Sequence, residues 1–129
     1  IDTLFSADSS ATMIFKRKHS RKPNEDLITW DDLTQKGSTV IQTIKLDENK
    51  NEIENKVCTS SAECTITINT FQGNKKIKSE LFRTEEMNRK PVLIATQIFE
   101  YDSSDRLIKT TSTNEIDKIC TYILTYKYE

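Results

Sequence analysis

The chain has 129 residues, the size of one domain, and its 19 basic and 20 acidic side chains give a net charge of −1. The lack of a basic excess argues against specific nucleic-acid binding. The sequence contains no run of about 18 apolar residues, so a membrane-spanning helix is not predicted. With only 2 glycines and 2 prolines, most turns must come from Asn, Asp, Lys and Ser. We predict a single β domain over residues 1–129, in which residues 1–10 are either frayed or an early strand.

The N-terminus bears on where the protein resides. The chain begins at Ile1 and its first methionine is Met13, and either removal of a signal peptide or trimming would produce such a start. We expect an extracytoplasmic protein, in the periplasm or at the cell surface. Contact with a membrane is expected only through a lipid anchor upstream of Ile1.

A basic run, Lys16-Arg-Lys-His-Ser-Arg-Lys22, is the strongest local charge feature. Acidic residues follow it between positions 25 and 32, so one interpretation is a solvated hairpin with a cationic strand beside an acidic one. The other is a docking patch for an acidic partner or an anionic surface, in which Trp30 is an interface anchor rather than a core residue. The candidate binding residues are then Arg17, Lys18, Arg21, Lys22 and Trp30.

Alternating side chains predict that most of the chain forms strands. The alternation is clear in Val40–Leu46, Cys64–Thr70 and Cys120–Tyr128. A polar side on each strand is typical of antiparallel sheets that are wetted on one face. Val92–Tyr101 is apolar on both sides, which predicts a central strand.

The last strand places its tyrosines on one side. We expect that side either to face the core or to form a platform for a sugar or a peptide. It carries Cys120, Tyr122, Leu124, Tyr126 and Tyr128.

The cysteines are Cys58, Cys64 and Cys120. The polar segment between Cys58 and Cys64 is bounded by apolar residues, as in a disulfide-closed turn between strands, and the alternative is a pair of ordinary thiols. Cys120 is expected to be a small buried thiol, with its pairing to Cys64 across neighbouring strands left open. The cysteine spacing, and the distance in sequence to the only histidine, His19, argue against a zinc site.

Polar segments predict turns and mark an internal repeat. The turns are Asp47–Asn51, Gln72–Lys75 and Asp102–Asp105. The equivalent positions before a turn are Leu46, Phe71, Tyr101 and Tyr128. Each unit is a strand, an acidic or amide turn, a second strand and a connection, so Tyr126–Glu129 reads as the start of another unit.

The core of one unit, Tyr101-Asp-Ser-Ser-Asp-Arg-Leu107, resembles the YD repeat of Rhs-type and related bacterial cell-surface proteins. The resemblance is best in this unit and weaker in the other two. It departs at the usual turn glycine, which is replaced by Asp105 here and by Lys75 and Lys50 elsewhere. The resemblance implies a hairpin architecture, although 129 residues are too few for the large Rhs shells that enclose toxins.

No arrangement of residues in the sequence points to catalysis. Gly37 and Gly73 stand alone, so no glycine-rich phosphate loop is present, and His19 lies within the basic run. The paired carboxylates are neighbours in sequence, and in a strand they would point to opposite faces. We predict a protein that is not an enzyme and uses no metal or cofactor.

The predicted fold is all-β, an antiparallel hairpin meander of about eight strands in a sandwich or a curved sheet, with at most one short helix at Arg83–Lys90. The predicted function is a non-catalytic extracytoplasmic protein-binding module, in particular an immunity or inhibitor protein that blocks a secreted toxin or cell-wall hydrolase. The alternative is a structural or adhesive cell-surface module. The expected partner is another protein, a toxin or an enzyme, and the sequence leaves the oligomeric state open.

Overall fold

Ten β-strands make up the described part of the protein, which in this computed structural model comprises residues 2–5, 14–32, 38–60, 63–84 and 90–128. The strands are β1 (Asp2–Phe5), β2 (Ile14–Lys22), β3 (Glu25–Asp32), β4 (Thr39–Leu46), β5 (Glu52–Thr59), β6 (Cys64–Gln72), β7 (Lys75–Thr84), β8 (Val92–Tyr101), β9 (Leu107–Asn114) and β10 (Ile119–Thr125). No helix occurs in these ranges, and the all-β antiparallel prediction is confirmed. Arg83 and Thr84, where the short helix was expected to begin, belong to β7, and residues 85–89 lie outside the described ranges.

All ten strands lie in one sheet in chain order, each antiparallel to its neighbours. This meander arises because short connections let each strand pair with the next one along the chain. Of the two predicted forms, sandwich or single sheet, the described strands adopt the single sheet. The prediction that Val92–Tyr101 is central is wrong, because β8 is the eighth strand of the ten. Its apolar residues on both sides reflect a sheet whose two faces are both half-buried.

Few side chains are almost fully buried. Among the residues whose side-chain exposure the structure describes, the only apolar ones are Ile28 and Cys64, each 7% exposed. In the part of the chain that the structure describes, no second layer covers either face of the sheet. Packing therefore comes mainly from cross-strand neighbours rather than from a central core.

The two faces of the sheet are named here after residues that lie on them. Directly paired residues on adjacent strands point to the same side, and successive residues along a strand alternate. Ile28 is paired with Gln42, and Gln42 with Val57, which defines the Ile28 face. Cys58 and Cys64 are paired on the opposite side, which we call the disulfide face.

The edge strand β10 departs from the predicted side-chain pattern. Its register with β9 shifts between Cys120 and Tyr122, so a bulge at Thr121 places Cys120 on the disulfide face and Tyr122 and Leu124 on the Ile28 face. Cys120 is an exposed free thiol, and Tyr122 and Leu124 are 41% and 48% exposed. The predictions of a buried thiol and a core-facing tyrosine row are wrong, because nothing described packs over β10.

Candidate functional site

The basic run forms β2, and its side chains divide between the two faces. Arg17 and Arg21 lie on the Ile28 face, where Trp30 is directly opposite Arg17. Lys18 and Lys22 lie on the disulfide face. The five predicted binding residues therefore do not form one patch.

Both arginines on the Ile28 face have close partners. The guanidinium carbon of Arg17 lies 5.4 Å from the centroid of the Trp30 ring, a cation–π distance. The Nε atom of Arg21 lies 3.2 Å from Oδ1 of Asp26, and Nε2 of His19 lies 3.8 Å from the same oxygen. On this face, the solvated-hairpin interpretation describes the contacts better than a free docking patch.

The lysines of β2 on the disulfide face are in a different situation. Lys16, Lys18 and Lys22 are exposed. In the described part of the chain, none of their ammonium groups forms an ion pair with a carboxylate. These lysines are the part of the basic run that is available to an acidic partner.

Cys58 and Cys64 form a disulfide between β5 and β6, as predicted from their spacing. The two residues are directly opposed in the strand register, and their Cα atoms are 4.1 Å apart. The amide of Thr59 donates to the carbonyl oxygen of Glu63 at 2.9 Å, which adds a backbone hydrogen bond beside the disulfide. Disulfides persist in oxidising compartments, so this bond is consistent with an extracytoplasmic location.

Two turns of the internal repeat have the same hydrogen-bond pattern. Oδ1 of Asp47 accepts from the amides two and four residues later, at 2.8 and 2.9 Å. Oδ1 of Asp102 accepts from the corresponding amides at 2.9 and 3.0 Å. The fourth turn residue is left-handed in both, with φ 66° at Lys50 and 61° at Asp105. The two turns are therefore equivalent residue by residue.

The middle repeat turn is shorter. β6 ends at Gln72 and β7 begins at Lys75, so only Gly73 and Asn74 connect them. The left-handed residue is Gly73, with φ 63°. Lys75 is thus not the equivalent of the turn glycine, which corrects the alignment made from sequence.

The turn hydrogen bonds change the acidity of both aspartates. The amide of Arg106 lowers the pKa of the Asp102 carboxyl, and this outweighs the opposing effect of desolvation. For Asp47, desolvation acts to raise the pKa, but hydrogen bonds from Asn51 and Asn49 lower it below its ordinary value. Both turns therefore hold the ionised carboxylate.

Each repeat turn is followed by a bulge. The register shifts at Leu46 and Tyr101, directly before the two longer turns, and at Phe71, one residue further from the middle turn. The extra residue on the returning strand is an isoleucine each time, namely Ile53, Ile77 and Ile108. These isoleucines are also the ones that the sequence repeat aligns, so the internal repeat is confirmed in the three hairpins.

Each bulge is completed by a side chain from the next unit. The hydroxyl of Tyr101 donates to the backbone carbonyl oxygen of Lys76 at 2.7 Å. In the same way, the hydroxyl of Tyr128 donates to the backbone carbonyl oxygen of Leu107 at 2.7 Å. Lys76 and Leu107 directly precede bulged isoleucines, where the ladder of backbone hydrogen bonds is interrupted. Tyr128 therefore occupies in its unit the place that Tyr101 occupies in the preceding one.

Asn69 has this role at the first bulge, and sequence reasoning missed it. Its Nδ2 donates to the carbonyl oxygen of Glu52 at 3.0 Å. The residue aligned with the tyrosines is Phe71, which has no hydroxyl. The signal in the sequence is the amide of Asn69, two positions before Phe71 and therefore on the same side of the strand. It occurs in the unit whose aromatic residue has no hydroxyl.

The repeat turns also contact one another along one end of the sheet. Nδ2 of Asn51 donates to the carbonyl oxygen of Gly73 at 3.1 Å. Nζ of Lys75 donates to Oδ1 of Asp105 at 2.7 Å. We call the connected turns 47–51, 73–74 and 102–106 the turn row.

Comparison with known proteins identifies no relative. No protein-family model, curated protein or solved structure matches the chain. In the ranges that the structure describes, no group of three or more His, Cys, Asp or Glu side chains is placed to hold a metal ion. Across those same residues, no helix is long and apolar enough to cross a membrane. The turn row and the β2 lysines are the features from which a function is proposed.

Proposed function

We propose that the chain is a non-catalytic extracytoplasmic module, structural or adhesive, whose sheet is built from hairpin repeats similar to the YD repeat. The observation that carries this proposal is the equivalence of the Asp47 and Asp102 turns. The contacts between successive units support it, since Tyr101 and Tyr128 each complete the bulge of the hairpin before them. Stability that accumulates between neighbouring units is characteristic of repeat scaffolds.

The proposed location is the periplasm or the cell surface, with a lipid anchor upstream of Ile1 as one means of attachment. The Cys58–Cys64 disulfide supports an oxidising compartment. Cys120 provides a test because it is an exposed free thiol. A maleimide that does not cross the cytoplasmic membrane should label Cys120 on intact source cells, and it should label Cys58 and Cys64 only after reduction and unfolding. Labelling of Cys120 only after the cytoplasmic membrane is broken would refute the proposed location.

The scaffold role is tested by identifying the molecules that the native protein binds on the cell. Cross-linking on intact cells followed by affinity isolation should retain the module with cell-surface material and yield no single soluble partner in equal amount. Isolation of one toxin or hydrolase in a one-to-one ratio would refute the scaffold role and favour the second candidate.

That second candidate is an immunity or inhibitor protein that blocks a secreted toxin or cell-wall hydrolase. The observation that favours it is the exposure of Lys16, Lys18 and Lys22 on one face without ion pairs to described carboxylates. Cations in this arrangement attract an acidic partner and speed its association. Inhibition would then come from steric occlusion of the partner's active site.

The division of β2 between two faces makes this candidate testable. Lys18→Gln with Lys22→Gln should slow association with an isolated partner and reduce the salt dependence of its rate. Arg17→Gln with Arg21→Gln, on the Ile28 face, is the matched control. An equal effect of both double variants would show that overall charge, not the disulfide-face lysines, governs docking.

A further inference from the structure

A depression of ≈ 260 Å³ lies on the Ile28 face, away from the turn row and from β2. It crosses four adjacent strands, β6 to β9. The residues that line it are Thr67, Ser79, Leu81, Ala95, Gln97 and Ser112. Three adjacent strands contribute small side chains to the depression, namely Ser79, Ala95 and Ser112, and Gln97 is paired with both serines. Its volume is just below the range of about 300–1,000 Å³ usual for small-molecule sites.

A buried polar atom without a protein partner lies in the cross-strand row that crosses the depression. Ser112, which is 8% exposed, lines the depression in this row. In the same cross-strand row, Oδ1 of Asn69 is buried without a donor. A buried polar group left unpaired is costly, and it is usually explained by a ligand or a bound water. These groups favour a ligand with hydroxyls of its own.

An aromatic side chain contacts one of the residues that line the depression. Tyr122 is paired directly with Ser112 and is 41% exposed. Its hydroxyl accepts a hydrogen bond from Nε2 of Gln97 at 2.6 Å, which orients both side chains and leaves the carbonyl oxygen of the Gln97 amide available. A tyrosine ring offers an apolar face and a polar end in one side chain.

Charge is absent from this region of the Ile28 face. On β7 to β9, Lys78, Glu80, Glu100 and Lys109 point to the disulfide face. The described charged side chains of these strands on the Ile28 face are Lys76 and Arg83, at opposite ends of β7. A phosphate, a nucleic acid or an acidic peptide would meet no cation at the centre of the depression.

We propose that this depression binds an uncharged sugar residue of a glycan. The ring of the sugar lies against Tyr122, and its hydroxyls bond to Ser112, Ser79 and the amide oxygen of Gln97. An extended peptide is a poorer occupant, because it binds sheets through backbone hydrogen bonds at an edge and the depression lies on a face. This inference rests on the proposed function, since it gives the adhesive module its ligand class.

The test begins with the whole chain on an array of neutral glycans. The methyl glycoside of the sugar that binds is then titrated into ¹⁵N-labelled protein and followed by NMR. We expect the largest shifts at Gln97, Ser112 and Tyr122. Absence of binding to every neutral glycan, or shifts confined to other residues, would overturn the proposal.

Variants of the lining residues sharpen the result. Ser112→Ala removes one hydrogen bond and should weaken binding by about 2- to 10-fold. Tyr122→Ala should weaken it further than Tyr122→Phe, which keeps the ring. Thr111→Val is the matched control, on the same strand but on the disulfide face, and should bind as the parent does. Equal weakening by Ser112→Ala and Thr111→Val would overturn the assignment.

Occupation by a second copy of the chain is a distinct outcome. In that case shifts at Ser79 and Gln97, on the interior strands β7 and β8, would appear on changing protein concentration without any sugar, which would also overturn the proposal. The sugar experiments and the maleimide labelling of Cys120 are independent measurements. A failure of sugar binding therefore overturns the proposed ligand without overturning the proposed extracytoplasmic location.

Discussion

Tyr101 joins two repeat units through a single hydroxyl. That hydroxyl donates to the carbonyl oxygen of Lys76, at a point where the bulge interrupts the backbone ladder. Tyr101→Phe leaves the carbonyl unpaired and keeps the ring, so we expect the free energy of unfolding to fall by about 1 kcal/mol. Urea denaturation followed by fluorescence measures this loss.

Tyr126→Phe is the matched control for that hydroxyl. The hydroxyl of Tyr126 forms no hydrogen bond with a described residue, and its side chain is 40% exposed. We expect the control to unfold at the same urea concentration as the parent. Equal destabilisation by the two variants would show that the Tyr101 hydroxyl adds nothing beyond its ring.

The carboxylate of Asp102 makes the stability of the folded protein depend on pH under acidic conditions. Its pKa is lowered in the folded protein by the amide of Arg106, whereas in the unfolded chain it is about 3.9. The carboxylate therefore contributes stability above the unfolded pKa, and this contribution is lost as the pH falls through the folded pKa. We expect Asp102→Asn to flatten the decrease in Tm below about pH 4, measured by circular dichroism. Glu48→Gln, at an exposed turn position without described hydrogen bonds, should leave the decrease unchanged.

At the level of elements, local chemistry determines what the sequence predicts. The Asp47 and Asp102 turns are predictable because each aspartate bonds to amides only two and four residues away. The bulge at Thr121 is not, since it depends on how β10 pairs with β9. It places Cys120 on the opposite side of the strand from Tyr122 and Leu124, which the alternation alone predicted to share one side.

The hairpin of β5 and β6 depends on its disulfide. In the unfolded chain, the bond between Cys58 and Cys64 closes a loop with a sequence separation of 6. Replacing both with serine should lower the free energy of unfolding by about 2 kcal/mol, by the entropy of that small loop. Denaturant unfolding without reductant measures the change.

Cys120→Ser is the control for the loss of a cysteine as such. Cys120 is an exposed free thiol, so its replacement should leave the unfolding midpoint unchanged. Addition of reductant should lower the stability of the parent and of Cys120→Ser, but not that of the double variant. A double variant as stable as the parent would refute a structural role for the bond.

At the scale of the molecule, the basic run illustrates why the binding site was only partly predictable. Seven consecutive residues from Lys16 to Lys22 form a compact group in sequence, but in a strand they alternate between faces. Arginines and lysines therefore separate, and the arginines acquire Trp30 and Asp26 as partners. The depression on the Ile28 face could not be predicted at all, since its lining comes from four strands whose register no sequence pattern specifies.

The open edge of the sheet leads to a prediction about self-association. All seven residues of β10 are exposed, none is charged, and one side of the strand has no described neighbour. Natural sheets protect such edges with charges, because an uncharged edge pairs with other chains. We expect the protein to self-associate as its concentration rises, and Ile123→Lys to suppress this, as measured by light scattering.

Ile41→Lys separates edge pairing from a general effect of added charge. Ile41 and Ile123 are 45% and 54% exposed, and both lie on the disulfide face. Ile41 belongs to β4, which has a strand on either side, so its replacement leaves the free edge of β10 intact. Because backbone groups at the edge drive the association, Ile41→Lys should associate as the parent does. Suppression by both variants would mean that copies of the protein meet through the disulfide face instead.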